Sequence, residues 1–186
     1  MGKPPDIETL SQDVVFESRW IRLREDRIRR RDGALGTYAV VEKPDFAVIA
    51  AIEDGQIHMV EQFRYPIGRR VWELPMGAAE PGADDLAETA RRELAEETGL
   101  GAARIERIGR LHPAYGYSSH AFELFLATGL TEGTKKRDDE EQDMISRPFP
   151  LAQVFEMARD GTIVDGPTVA ALALLALHGK LSLPPA

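Results

Sequence analysis

Strands that outnumber helices, interrupted once by a strongly charged helix, predict a mixed α/β sandwich for this chain. Three observations carry the prediction. The first third reads as short apolar runs bounded by turn residues. Leu86, Ala90 and Leu94 then recur every fourth residue within Asp85 to Thr98, the mark of a helix. Two further helical patterns close the chain, at Leu151 to Arg159 and Pro167 to Leu177.

Taken in order, Val14 to Ile28 mixes apolar and charged residues, and Trp20, Arg22, Arg24 alternating with Ile21, Leu23 has strand period, as in an edge sheet. The basic cluster Arg27, Arg29, Arg30, Arg31 runs into Asp32-Gly33, a hairpin signal. A basic run of this kind is ordinarily a solvated strand face rather than a nucleic-acid patch. Strands follow at Thr37 to Val41 and Phe46 to Ile52, separated by Lys43-Pro44-Asp45, and at Gln56 to Phe63 after the turn Glu53-Asp54-Gly55. The central helix takes its start cap from Asp84 or Asp85 and its end cap from Gly99. Ile105 to Leu111 and Phe122 to Ala127 read as strands, Thr131 to Asp143 as a charged loop, and Ile145 to Phe149 as a short strand. No internal repeat or linker divides the chain.

Composition narrows the chemistry. At 186 residues the chain has the size of one ordinary domain and can bury a core without staples. Cysteine is absent, which removes disulfides, a thiolate nucleophile and Cys-based zinc sites together. The formal net charge of -8 argues against general attraction to nucleic acid, so an anionic ligand needs local help from Arg side chains and metal ions. Residues 1–10 are polar, and Asp6 spoils a myristoylation pattern; the expected home is the cytoplasm. The most apolar segment, Val169 to Leu177, falls far short of the ~20 residues a membrane helix needs and reads as a buried helix.

The chemically informative stretch is Gly77 to Leu100. On a helix Glu93 and Glu97 share one face, and Glu96 stands three residues from Glu93, so their carboxylates can converge. A hard divalent cation would relieve the repulsion, and oxygen donors without His or Cys favour Mg²⁺ or Mn²⁺. The plain alternative is a solvated face laced by the ion pairs Glu88–Arg92 and Arg92–Glu96.

Context decides between them. The stretch resembles the Nudix box, G-x5-E-x7-R-E-U-x-E-E-x-G-U with U aliphatic. Its second half matches throughout, at Arg92, Glu93, Leu94, Glu96, Glu97, Gly99 and Leu100. The first half is offset: counting forward from Gly77 puts Ala83 at the acidic position, and counting back from Arg92 puts Asp84 there and Ala78 at the glycine. One extra residue in the loop or helix start explains both. Upstream, Gln62-Phe63-Arg64-Tyr65-Pro66 and Glu73-Leu74-Pro75-Met76-Gly77 resemble the QxRYP and ELPxG motifs of the ADP-ribose pyrophosphatase branch. The acidic run Asp139-Glu140-Glu141-Gln142-Asp143-Met144 resembles that branch's loop. The resemblance spans about Val14 to Leu177.

The resemblance implies a Nudix α/β/α sandwich with a mixed sheet, preceded by a small N-terminal antiparallel β-sheet. Residues 1–45 would form the N-terminal subdomain, for dimerisation and substrate contact, and 46–186 the catalytic domain. Glu93, Glu97 and the Met76 carbonyl would hold Mg²⁺ or Mn²⁺, and Glu96 would ligate a second metal or act through water. Arg92 would orient the carboxylates, and Glu140 or Glu141 would accept the proton of the attacking water. Arg64, Arg69 and Arg70 are candidates for contacting phosphate or the terminal sugar, with Glu73 and Tyr117 as further substrate contacts. The implied reaction splits the diphosphate of a nucleotide-sugar type molecule, ADP-ribose giving AMP and ribose 5-phosphate, in a homodimer with no nucleic-acid or membrane partner.

Specificity is where the sequence departs from the branch. His112-Pro-Ala-Tyr-Gly-Tyr-Ser-Ser-His120 replaces the branch's SPGxSxE stretch, and His120 stands at the acidic position. His112 and His120 fit ordinary structural or surface roles. Trp72, Tyr115 and Tyr117 can stack a base or sugar, although aromatics beside a strand are commonly core. Two rivals stay open on the residues alone: the same fold acting on dinucleoside polyphosphates, coenzymes or nucleoside triphosphates, and a nucleotide-binding module without catalysis, which the intact box carboxylates disfavour. An isoprenoid diphosphate isomerase would need a cysteine.

Overall fold

A computed structural model describes residues 5–80, 85–133 and 143–182. The chain forms two compact units, one of Met1–Pro44 with His112–Ala121 and one of Asp45–Leu111 with Phe122–Ala186.

The first unit is built on a three-stranded antiparallel sheet ordered β1 (Ile7–Glu17), β2 (Arg22–Arg30), β3 (Leu35–Glu42). The sequence reading gives Val14 to Ile28 strand period in an edge sheet; two strands of a sheet cover that region, the first starting seven residues earlier at Ile7. Ser18 breaks them apart: its hydroxyl accepts from the Trp20 and Ile21 amides, and its own amide donates to the Ile21 carbonyl. Such serine turns compete with extended pairing. The Asp32-Gly33 hairpin forms as expected, with Gly33 at φ 86° and the Ala34 amide donating to Asp32 Oδ1. The basic cluster is a solvated face in which Arg29 pairs with Glu8 and Arg31 with Asp6.

In the second unit the sheet has seven strands ordered β10 (Ile145–Pro150), β5 (Gln56–Arg64), β4 (Phe46–Glu53), β9 (Phe122–Glu132), β8 (Leu100–Leu111), with β6 (Arg69–Glu73) on β5 and β7 (Met76–Ala78) on β4. Asp54 at φ 49° and Gly55 at φ 74° close the β4–β5 hairpin between the paired Glu53 and Gln56, a two-residue turn with both central residues left-handed. The sheet is mixed because β4 and β9 run parallel, in register from Phe46↔Phe122 to Ala51↔Ala127. Ala47 to Ala51 are fully buried, so β4 is apolar on both faces, as a strand covered by helices on each side must be.

Alternation sorts that strand. Ala47, Ile49 and Ala51 pack with Ala90 and Leu94 of helix α1 (Leu86–Thr98). Val48 and Ala50 point the other way, into a cluster with Val154 and Phe155 of α2 (Leu151–Arg159) and Leu172 and Leu175 of α3 (Gly166–Leu177). The result is an α/β/α sandwich, the mixed α/β fold read from the sequence in the layered form that the resemblance implies. Strand β8 begins at Leu100, five residues before its predicted start, and β9 extends to Glu132, taking in Thr131, which the sequence reading gives to a loop. No helix among the described residues is long and apolar enough to cross a membrane.

Candidate active site

Helix α1 places the box carboxylates. Asp85 caps it by accepting the Ala87 amide at 2.8 Å, while Asp84 lies outside the described residues. Gly99 ends it in the left-handed region at φ 78°, returning its amide to the Ala95 carbonyl. Along the helix, Glu93 and Glu97 fall on the buried face with Leu94 and Ala90; Glu97 is 0 % exposed and Glu93 7 %. Charged residues are seldom buried so completely without a specific task or partner. Glu96 is half-buried.

The partner of the helix is the segment leaving β6. There the Met76 amide donates to Glu97 Oε2 at 3.2 Å. Next along the chain, Gly77 faces Glu93 so closely that a Cβ on it would lie 2.0 Å from the carboxyl carbon. Only glycine leaves room for that carboxylate. Arg92 gathers the cluster: Nη2 donates to Glu93 Oε1 at 2.7 Å and Nη1 to Glu96 Oε2 at 2.7 Å, and Nη2 also reaches the Ala78 carbonyl at 3.3 Å. Burial opposes the Arg92 charge, but Glu93 and Glu96 outweigh it and raise its pKa. Glu88 pairs with Arg91 at 3.6 Å, whereas the solvated-face alternative pairs it with Arg92.

The donor set fits a hard divalent cation: carboxylates one helical turn apart, oxygen only, seated against a backbone turn that keeps space for them. Among the described residues no group of three or more His, Asp or Glu side chains is gathered as a ligand cluster. Glu140 and Glu141, the further carboxylates expected from sequence, lie outside the described residues.

The predicted substrate contacts divide. Arg64 and Glu73 form a close ion pair, joined by Gln62 donating to Glu73 Oε1 at 2.8 Å. Burial pushes the Glu73 carboxyl up, and Arg64 opposes the shift. The pair lines a cavity of about 280 Å³ with Ile67, Val71, Val164 and Asp165. Arg69 pairs with Arg64 across the β5–β6 ladder and is exposed. Arg70 spans Glu61, at 2.9 Å, and Asp143, at 2.7 Å to the carboxylate and 2.8 Å to the carbonyl. Trp72 packs edge-on to Phe149, with ring centroids 4.8 Å apart.

Tyr117, Tyr115, His112 and His120 belong to the first unit. Both tyrosine rings are exposed, on a turn held by the Val41 amide donating to the Tyr117 carbonyl and Tyr38 donating to the Gly116 carbonyl. Ser118 gives its one hydroxyl proton to the Val41 carbonyl, so its 2.6 Å contact with His120 Nδ1 requires that nitrogen to be the donor. Sequence reasoning gives Ser118 no role and missed Thr168, a buried residue whose hydroxyl meets the Leu74 amide at 2.9 Å. Its only sequence signal is a polar residue near the start of an otherwise apolar helix.

Comparison with known proteins completes the assignment. Residues 42–172 match the model of the NUDIX domain. Residues 7–41 match that of the nucleoside diphosphate sugar hydrolase N-terminal domain. The chain belongs to the Nudix hydrolases. It is 37% identical over 175 residues to the ADP-ribose pyrophosphatase of Mycobacterium tuberculosis, covering 93% of this chain and 84% of that one. The methanol dehydrogenase activator of Bacillus methanolicus is 30% identical, with 97% and 98% covered. An ADP-ribose pyrophosphatase of Bacillus subtilis is 28% identical, with 94% and 95% covered. A crystal structure of an ADP compounds hydrolase shares the fold, with a TM-score of 0.84 at 22% identity, covering 97% of this chain and 100% of that one.

Proposed function

We propose that this Nudix hydrolase cleaves the diphosphate linkage between a nucleoside and another moiety, with ADP-ribose, giving AMP and ribose 5-phosphate, as its first substrate. The observation that carries the reading is the seating of Glu93 and Glu97 against Met76 and Gly77. Two relatives named ADP-ribose pyrophosphatase support the choice of substrate.

In this reading Glu93, Glu97 and the Met76 carbonyl hold Mg²⁺, or Mn²⁺ in its place, and Glu96 serves a second ion directly or through water. A bound cation supplies charge neutralisation at the diphosphate oxygens and lowers the pKa of its water. Arg92 fixes the rotamers of Glu93 and Glu96 through its two donors, a preorganisation that a lysine could not reproduce. Glu140 or Glu141 accepts the proton as water adds to phosphorus and the bridging P–O bond breaks. Arg64, Arg69 and Arg70 answer the negative phosphates or the terminal sugar, and Glu73 holds Arg64 in place. Tyr117 offers an exposed ring to the base or sugar.

Residues 1–45 act in this reading as a dimerisation and substrate-contact subdomain, and 46–186 as the catalytic domain, in a cytoplasmic homodimer. Support for dimerisation comes from β1, at the sheet edge, which exposes Leu10, Val14, Val15 and Phe16.

The test is a product assay with Mg²⁺ across ADP-ribose, other nucleoside diphosphate sugars, dinucleoside polyphosphates and nucleoside triphosphates, run beside Glu97→Gln. Cleavage of ADP-ribose, reduced by roughly three orders of magnitude in the variant, is expected. Preference for another class would replace ADP-ribose as substrate. Binding without cleavage of any of them would sink the proposal.

A further inference from the structure

Residues 74–76 are the segment on which the site depends, and three different elements hold them. Glu73 is the last residue paired in the β5–β6 ladder, and Met76 the first paired in the β4–β7 ladder. Leu74 and Pro75 between them belong to neither, so their backbone groups must be satisfied elsewhere. The Pro75 carbonyl accepts the Ile49 amide of β4 at 2.8 Å, and the Met76 amide goes to Glu97 of α1. Leu74, itself fully buried, donates its amide to Thr168 Oγ1 of α3 at 2.9 Å.

Thr168 is well placed to act as a fixed point. It is 0 % exposed, and its own amide donates to Asp165 Oδ2, the α3 cap, at 2.8 Å. The cap sets the helix start, the helix start sets the hydroxyl, and the hydroxyl sets Leu74. Two residues later the chain meets the Glu97 carboxylate. Ninety-four residues of sequence separate Thr168 from Leu74, so this link exists only in the folded sandwich.

We propose that Thr168 is a positioning residue for the diphosphate-cleaving site, acting through Leu74 to fix the Met76 backbone against Glu97; this rests on the function proposed above. Thr168→Val keeps the shape and removes the acceptor. The buried Leu74 amide then has to move to find another, and the Met76 carbonyl moves with it. Displacements of about 1 Å at positioning groups are sufficient to cost on the order of 100-fold in rate.

The experiment compares the wild-type full-length protein with Thr168→Val and Thr168→Ser. Three quantities are read: exchange of the Leu74 and Met76 amides by NMR, Mn²⁺ binding by the EPR signal of the free ion, and kcat and KM for ADP-ribose with Mg²⁺. For Thr168→Val, both amides exchange faster, Mn²⁺ binds about 10-fold more weakly and kcat falls about 10- to 100-fold, as for loss of a group supporting metal ligands. KM should stay within about threefold of wild type, since no substrate contact is removed. Thr168→Ser, which keeps the hydroxyl, restores all three. The proposal is overturned if Thr168→Val retains wild-type kcat and Mn²⁺ affinity, or if Thr168→Ser shows the same losses, which would assign the effect to packing. A wild type that neither binds Mn²⁺ nor cleaves a diphosphate defeats the functional reading instead, and the catalytic role of Thr168 with it; amide exchange in Thr168→Val still reports whether the hydroxyl holds the turn.

Discussion

Gly77 shows how a missing side chain makes room for a carboxylate. A Cβ there would also stand 2.0 Å from Glu93 Oε1, well inside any tolerable contact, so Gly77→Ala forces the carboxylate to swing away from the turn. We expect kcat to fall about 100-fold, in line with displacement of a positioned group, while the melting temperature changes by only a few degrees, about the effect of 1 kcal/mol. Activity within a factor of about three of wild type would show that Glu93 does not need its present seat. Much of this cluster was legible at the residue level. Spacing alone puts Glu93, Glu96 and Glu97 on neighbouring positions of one helix face. Spacing gives the Arg92–Glu96 pair but not the second one, to the chain neighbour Glu93. Nor does it give Glu88, whose partner is Arg91. Several acceptors lie within reach of a long side chain, and the packed surroundings select among them.

At the scale of elements, the N-terminal sheet carries a charged network on β2 that makes a pH-dependent contribution. Asp26 is buried beside Arg24, which also pairs with Glu42, and Gln12 of β1 donates to it at 3.2 Å. The Arg24 hydrogen bond holds the Asp26 carboxyl below its ordinary range, against the opposing effect of burial. A depressed carboxyl stabilises the folded state above its unfolded pKa, about 3.9, and the contribution disappears as pH falls through the lower folded value. Thermal melts from pH 7 down to pH 3 should therefore show an acid-side loss that is shallower in Asp26→Asn, which should also melt lower at pH 7. Parallel curves for the two proteins would rule this contribution out. The strands themselves were partly legible. Turn chemistry located the Asp54-Gly55 and Asp32-Gly33 hairpins, where local backbone preference decides the conformation. The early half of β1 was missed because Thr9, Ser11, Gln12 and Asp13 carry no apolar alternation; cross-strand pairing to β2 makes them a strand. The same holds for the start of β8, whose pairing with β9 reaches back to Leu100↔Glu132.

For the whole molecule, the prediction is the assembly state. Exposed apolar residues on an edge strand are a liability unless covered, and a second copy is the cover we propose. Sedimentation equilibrium should give twice the chain mass of 20.6 kDa, and Val15→Asp combined with Phe16→Asp should shift it to one chain with loss of activity. A wild-type mass of a single chain would overturn the dimer. The amino-acid sequence by itself determined the fold class, the central helix with its Gly99 end cap, the hairpins and the placing of Glu93, Glu96 and Glu97 along that helix, because each rests on periodicity or turn chemistry within a few residues; the role expected of those carboxylates came from the resemblance to the Nudix box. Only the tertiary structure decided that β4 and β9 pair in parallel, that Gly77 makes room for Glu93, and that Thr168 holds Leu74. These are contacts between residues far apart in the chain, selected by which buried polar groups and volumes must match once the helices close on the sheet, and no local pattern encodes that match.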